Sequence, residues 1–465
     1  MEEERVVAMV STSDAAKLLG VSPRRVRALI EAGDLKAQRV GRSWLVDEAS
    51  VRSRANSVVA SGRPKDGERD ASAITSFILM NRNHEVARFQ FNKNRERVLR
   101  LEPLQDAAWA PLGACSAPGK MRAGFLQQWM ANRSIPEARP RIGALLKEAG
   151  FANVSQLVIS SLGLSLSDQY WFKPIDAKTG KTLPLNWENI NYFDNGFDDS
   201  LGAALMGIGS SEDAKRAPSS TTNGMLEKRW VLRKGKPLLM KGSTPGSNRE
   251  PFSELLATKL FERMLEPDEF VPYELVFENG KPYSLCPDML NSGQELIPAN
   301  DVVECYGLHR SGLYESYVHQ VSELAGRNLR ESIDKMIVCD YLMANDDRHL
   351  FNFGLIREVE SLQVTGCAPL YDSGCAFFTR ATLAQLRAKR YFYDSHPFRE
   401  NPYSQLALVE SLKWFDADRL DGFADQVREV LSANEDLTEE FVELAASHVQ
   451  RNIDKVINLS LELAR

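Results

Sequence analysis

The densest run of chemistry-bearing residues is Asn345-Asp346-Asp347-Arg348-His349-Leu350-Phe351-Asn352-Phe353. It follows the apolar-periodic positions Ile333, Met336, Ile337 and Tyr341, which read as a helix. A helix that delivers an Asp, with an Asn five residues later, suits phosphoryl transfer. Asp347 would accept the hydrogen bond of an acceptor hydroxyl. Asn352 would reach around the short loop to a magnesium ion on the phosphates. Twenty-five residues after Asp347, the stretch Pro369-Leu370-Tyr371-Asp372-Ser373-Gly374 reads as a strand ending on Asp372, a second metal-ligand position. Oxygen ligands beside a triphosphate suit Mg²⁺, which takes few protein carboxylates. His349 has no partner at metal-ligand spacing and reads as a packing and hydrogen-bonding residue of the loop.

Upstream, Leu238-Leu239-Met240-Lys241-Gly242 places a lysine at the end of an apolar strand, where an ammonium is costly unless paired. Such a lysine can hold the α/β-phosphates when a helix glutamate fixes it. Glu254, in the predicted helix 251–264, is the candidate, with Glu250 as the alternative. Just before that strand lies Thr221-Thr222-Asn223-Gly224-Met225-Leu226, where backbone N–H groups at Thr222, Asn223 and Gly224 could meet phosphate. Pro118 spoils the other phosphate-loop pattern, at 113–120. Singly, these residues also fit a turn, a surface lysine or a loop cap. Their order (loop, Lys, Glu, Asp-x-x-x-x-Asn, Asp) is the kinase order. Ser219, Ser220, Thr221 and Thr222 put four hydroxyls in a row in a stretch expected to be flexible. Phosphate there would add about −1.5 to −2 charge where ATP phosphates bind, so they are candidate autophosphorylation sites.

The elements that position these groups belong to a long chain. Its 465 residues leave room for more than one core. At 43% apolar and 26% charged residues, the composition excludes global disorder, collagen and coiled coil. No run of about 18 apolar residues predicts a membrane span, and the acidic start does not read as a secretory signal. The six cysteines form no C-x-x-C pair, so reduced thiols and a cytoplasmic location are expected. The net charge of −6 excludes a protein that coats nucleic acid along its whole length.

A basic segment nevertheless opens the chain. Between Ala15 and Leu45, the seven residues Lys17, Arg24, Arg25, Arg27, Lys36, Arg39 and Arg42 face only Glu31 and Asp34. Cap residues at 11–14, a short apolar face, Gly20 and then Ser22-Pro23 predict two helices. Val26, Leu29 and Ile30 form the buried stripe of the second helix, which leaves Arg24, Arg25 and Arg27 outside. A hairpin with Gly41 at its turn carries Arg39 and Arg42. This is a winged helix-turn-helix pattern. Residues 13–51 resemble the excisionase/MerR-type DNA-binding domain, in which the second helix enters the major groove and the wing touches the backbone. Polar residues 53–72, with Gly62, Pro64 and Gly67, read as a flexible linker.

From about Ile74 onward the chain resembles the HipA-like serine/threonine kinases. The likeness rests on the 345–353 block, on Ser165-Leu166-Ser167-Asp168-Gln169-Tyr170-Trp171-Phe172-Lys173-Pro174, on Glu250-Pro251-Phe252-Ser253-Glu254 and on Tyr283-Ser284-Leu285-Cys286-Pro287. The resemblance implies an α/β (α+β), two-lobed protein-kinase-like fold with a small winged helix-turn-helix domain in front. The expected layout is 1–52 DNA-binding domain, 53–72 linker, 73–290 N-terminal lobe (73–175 subdomain and 220–290 nucleotide-binding part) and 291–465 mainly helical C-terminal lobe. It implies ATP and Mg²⁺, Lys241 on phosphates, Asp347 as base, and Asn352 and Asp372 on the metal. Residues 283–289, with Cys286, would form the hinge under adenine. The nucleotide loop has one Gly where related sequences often have two.

The expected function is therefore a Mg-ATP-dependent Ser/Thr protein kinase with autophosphorylation, in a toxin–antitoxin or growth-control role. Its expected partners are a protein substrate, DNA bound as a dimer on a repeated or palindromic site in its own promoter, and an antitoxin. Two alternatives stay open: a DNA-binding regulator whose kinase fold senses nucleotide, and a small-molecule or lipid kinase.

Overall fold

The structure, a computed structural model, describes residues 9–19, 26–27, 29–30, 35–40, 43–48, 50–51, 73–139, 141–206, 217–222, 224, 226–244, 246–388 and 391–465. The chain divides into two units, 1–71 and 72–465.

In the first unit β1 (Met9–Ser11) leads into α1 (Thr12–Leu19), and β2 (Ala37–Val40) and β3 (Ser43–Asp47) form the hairpin. Ser11 caps α1: its hydroxyl accepts the Asp14 N–H at 3.1 Å and donates to the Asp14 carboxylate at 2.7 Å. Residues 26, 27, 29 and 30 are helical. Ala15, Val26, Leu29, Leu35, Val46 and Val51 make the core, so the 26–29–30 stripe packs as its period requires. The strand order is β1-β3-β2. Strand β1 has no sequence signal of its own; it exists by pairing Met9 with Asp47. The expected helix start at Ser22-Pro23, the hairpin turn at Gly41 and the 53–72 linker lie outside the described residues.

The second unit opens with an antiparallel sheet, β4 (Ile74–Asn81), β5 (His84–Asn92), β6 (Arg97–Pro103) and β7 (Tyr170–Ile175), in the order β6-β5-β4-β7. Alternation puts Phe77, Leu79, Phe89 and Phe91 on its inner face, against α2 (Ala123–Arg133), α3 (Ile142–Glu148) and α4 (Val154–Ser160). After α5 (Ser200–Leu205) comes a second sheet: β8 (Lys228–Arg233), β9 (Lys236–Lys241), β10 (Glu274–Glu278) and β11 (Lys281–Pro287), ordered β10-β11-β9-β8. Helix α6 (Glu250–Met264) lies against β10 and β11, and its Phe252, Leu256, Leu260 and Phe261 join the core of the helical part.

The remaining part is mainly helical: α7 (Ala299–Tyr306), α8 (Leu313–Ala325), α9 (Arg330–Leu342), α10 (Phe423–Ser432) and α11 (Glu439–Leu463). It also holds a sheet the sequence pattern left unassigned, β12 (Gln294–Pro298), β13 (Gly354–Glu358) and β14 (Val364–Cys367). Gly354 lets β13 approach β12, since a Cβ there would sit 2.2 Å from the Ile297 carbonyl oxygen. All six cysteine thiols are free. Among the described residues no helix is long and apolar enough to cross a membrane.

Candidate active site

Lys241 ends β9 at 2% exposure. An ammonium this deep must be paired, and two carboxylates meet it. Asp372 Oδ1 lies 2.6 Å from Nζ and Glu254 forms a short ion pair with it. The Tyr273 ring adds a cation–π contact, its centroid 5.0 Å away. Burial disfavours the ammonium, but Asp372 and Glu254 outweigh it and hold Lys241 well above its ordinary value. Burial likewise works against the Asp372 carboxylate, yet Lys241 and Lys228 hold it well below the usual range. The other Glu254 oxygen accepts the Ser373 N–H at 2.9 Å, so α6 is tied both to the lysine and to the Asp372 segment. Glu250, the alternative partner, instead accepts the Thr244 N–H at 3.1 Å. Asp372 has φ 57°, a left-handed backbone unusual for a residue with a side chain and frequent at functional sites.

Helix α9 hands the chain to the 345–352 loop through Ala344, at φ 52°. Asn352 donates from Nδ2 to the Asp347 carbonyl at 2.9 Å, which closes the loop on itself. The Asp347 carboxylate is one-third exposed, and Arg380 reaches it at 3.3 Å and Asp346 at 3.1 Å. Burial pushes the Asp346 carboxyl up to about 6. Arg348 is fully buried and uses its whole fork. It donates to both oxygens of Asp340, to the Asn352 carbonyl at 2.8 Å, to the Tyr371 carbonyl at 2.6 Å and to Ser373 Oγ at 3.2 Å. The loop and the Asp372 segment are thus fastened by one side chain. His349, read as a packing residue, is exposed; its Nδ1 accepts the Phe351 N–H at 3.3 Å.

Above these groups Thr222 and Gly224 are held by Arg139, whose guanidinium donates to the Thr222 and Gly224 carbonyls and to Thr222 Oγ1 at 3.1 Å. Gly224 has φ 100°, a conformation glycine alone adopts at little cost. Lys228 lies next to it. Burial, reinforced by Lys241 and Arg139 and opposed by Asp372, pulls its ammonium down to about 8.

Thr222, Gly224, Lys241, Cys286, Asp347, Asn352 and Asp372 line one cleft of about 630 Å³, with Glu254 behind Lys241. Asn223 lies outside the described residues. Cys286 sits on β11 opposite Leu239, and burial pushes its thiol up to about 12, which keeps it an inert apolar wall. On the far side of Asp347 and Arg380 an open groove of about 650 Å³ runs past Tyr391, Phe392 and Asp394.

The oxygen set fits Mg²⁺. The Asn352 amide spends its N–H on Asp347, so its carbonyl oxygen is the end left for a cation. Among the described residues no three His, Cys, Asp or Glu side chains could hold a metal by themselves. An ion here would lean on phosphate and water, as Mg²⁺ does.

One expectation is corrected. The 219–222 stretch is not loose. Residues Pro218–Thr221 form a tight turn in which Ser219 and Ser220 are fully buried. Ser219 bonds Asp199, Thr221 Oγ1 reaches the Leu164 carbonyl at 3.0 Å, and Thr222 Oγ1 reaches the Ser219 carbonyl at 2.8 Å. Hydroxyls with partners can be buried, which composition alone does not reveal. Residues 210–216 lie outside the described residues. Sequence reasoning also passed over Arg139, Lys228, Arg348 and Arg380. Only Arg348 carried a signal, its place inside the 345–353 block.

In the first unit Arg27 and Arg39 are exposed, and the Arg39 guanidinium lies 6.0 Å from the Trp44 ring centroid. Arg24, Arg25 and Arg42 lie outside the described residues. Residues 9–57 match the family model of a helix-turn-helix domain. The chain opens with a helix-turn-helix domain. No curated protein matches the chain. Among solved structures it is similar to the Helicobacter pylori proinflammatory kinase CtkA, at 18% identity and TM-score 0.41 over 51% of this chain and 95% of that one. It is also similar to a chain of the Shewanella oneidensis MR-1 toxin–antitoxin complex of HipA, HipB and operator DNA. There the identity is 13% and the TM-score 0.47, over 83% of this chain and 99% of that one.

Proposed function

We propose that the second unit is a Mg-ATP-dependent Ser/Thr protein kinase of HipA-like type and that the helix-turn-helix domain binds DNA. One observation carries the kinase reading. The Lys241–Glu254–Asp372 cluster and the Asp347–Asn352 loop face the same cleft, tied together by Arg348.

Lys241 holds the α/β-phosphates at a point set by Glu254. Residues 222–224 cover them with backbone N–H groups. Adenine lies against 287–289, just past Cys286. The acceptor hydroxyl enters from the groove beyond Asp347, displaces Arg380 and donates its hydrogen bond to the Asp347 carboxylate. Asn352 and Asp372 hold Mg²⁺, which neutralises charge on the phosphates. Exposed Arg27 and Arg39 give the first unit its DNA-facing charge, Arg27 toward base edges and Arg39 toward phosphate.

Radiolabelled ATP turnover by the full chain, with D347N and D372A as controls, tests the kinase. Label on protein in the wild type alone is the expected result. Nucleotide binding without transfer would leave a regulator that senses nucleotide, and transfer only to small molecules or lipid would replace the protein substrate.

A further inference from the structure

Strands β8 and β9 pair so that Lys228 stands directly opposite Lys241. Opposed residues on an antiparallel pair share a face, and like charges there repel. Lys241 offsets this with Glu254 and Asp372. Lys228 has less: Asp372 acts on it at a distance, but neither carboxylate pairs with it. It is 8% exposed, and no hydrogen bond or ion pair engages its ammonium among the described residues. Its Nζ would lie 2.7 Å from a Cβ built on Gly224, so it touches the loop over the cleft. Arg139, 2% exposed, brings a third cation to the same loop and bonds only neutral oxygens there. Three buried cations thus meet two carboxylates, and both carboxylates are committed to Lys241. A buried ammonium without a directly paired counter-charge is costly, and this one lines an open cleft where an anion can reach it.

We propose that Lys228 is a second phosphate-binding residue, which with Lys241 brackets the oligophosphate of the ligand beneath Gly224. This rests on the nucleotide reading of the cleft and adds a division of labour. Lys241, neutralised by its own carboxylates, fixes position. Lys228 supplies the unpaired charge that selects a polyanionic tail.

Calorimetric titration of the full chain with ATP, adenosine and tripolyphosphate, each with and without Mg²⁺, tests it on wild type, K228M and K228R. K228M should lose about tenfold or more in affinity for ATP and tripolyphosphate, the loss expected for one charge-assisted hydrogen bond. Its affinity for adenosine should not change, and K228R should recover most of the loss. Without ligand, K228M should melt no lower than wild type, because it removes an unpaired buried charge. Equal ATP affinity in wild type and K228M overturns the assignment, as does an equal loss for adenosine and ATP. Wild type that binds tripolyphosphate but not ATP, with the loss in K228M, keeps the phosphate site and discards the nucleotide. Wild type that binds neither overturns both.

Discussion

Arg348 and Asp340 form a fully buried, two-point ion pair beneath the 345–352 loop, Nε to Oδ2 at 2.9 Å and Nη2 to Oδ1 at 3.0 Å. The guanidinium then spends Nη1 on the carbonyls of Asn352 and Tyr371, one on each side of the cleft floor. Asp340 also accepts from Asn345 Nδ2 at 2.8 Å. The pair therefore holds the candidate base and the candidate metal ligands in one frame.

Breaking that frame should be expensive. Arg348→Met leaves the Asp340 charge buried without its cation, so unfolding free energy should fall by about 3–5 kcal/mol. Arg348→Lys keeps a charge but loses the fork, and should cost about 1–3 kcal/mol for the acceptors left unpaired. Urea unfolding of both variants measures this. Values within about 0.5 kcal/mol of wild type, the range of plain surface changes, would show that the pair does not hold the loop.

Asp347→Asn should separate chemistry from fold. The carboxylate is partly exposed and forms its ion pair with Arg380, while the loop is closed through the Asp347 backbone. Phosphotransfer should drop by about 100-fold or more, the contribution of a general base, with the melting temperature little changed. A variant that keeps a tenth of the activity, on the order of 1.4 kcal/mol lost, contradicts the base assignment.

Asp301 should make stability depend on pH. It is buried, and burial pushes its carboxyl up to about 7. Its unfolded value is about 3.9. Between the two, the folded chain binds the proton and the unfolded chain does not. The stabilisation is therefore complete below about pH 4 and is lost as pH rises through about 7. Asp301→Asn removes the titrating group. It should flatten the stability curve over that window and be the more stable protein at about pH 8, by on the order of a few kcal/mol. Guanidinium unfolding at pH values across the window checks this; an unaltered slope in the variant would rule it out.

Phosphate within 219–222 requires the buried turn to leave its seat, because Ser219 is bonded to Asp199 and Ser220 is fully buried. After incubation with Mg-ATP, mass spectrometry should find phosphate there in wild type and not in D347N. The phosphorylated form should gain a protease-sensitive site in this stretch. An active enzyme whose 219–222 peptide stays unmodified ends the idea.

The helix-turn-helix domain should carry the full chain onto duplex DNA. Arg27→Ala should relax sequence preference, by about 1–3 kcal/mol for a lost bidentate base contact. Arg39→Ala should weaken all sequences alike and reduce the salt slope by about one contact. Gel shifts over a salt series, on promoter and scrambled duplexes, measure both. No shift at low salt with either duplex would make the domain a protein-contact module.

Much of this layout was legible in local pattern. The apolar strand ending on Lys241, the helix reaching into the 345 loop and the Asp347-to-Asn352 spacing are all short-range features, and period and end-signals reveal those. The apolar period of helix α11, Glu439–Leu463, is another. The strand expected to end on Asp372 does not form: β14 stops at Cys367, and Leu370 makes a single bridge to Phe270 because the chain turns there to bring Asp372 to Lys241. What local pattern leaves open is which side chain meets which across the fold. Glu250 and Glu254 are both one helix turn from serving Lys241, and only the seating of α6 on its sheet selects Glu254. Lys241 and Asp372 are 131 residues apart, and Arg139 and Gly224 are 85 apart. No periodicity encodes such pairs, because they arise when separately formed elements close around one cleft. The same closure buried the hydroxyls of Ser219 and Thr221, by supplying Asp199 and Leu164 as partners that their own polar neighbours could not announce.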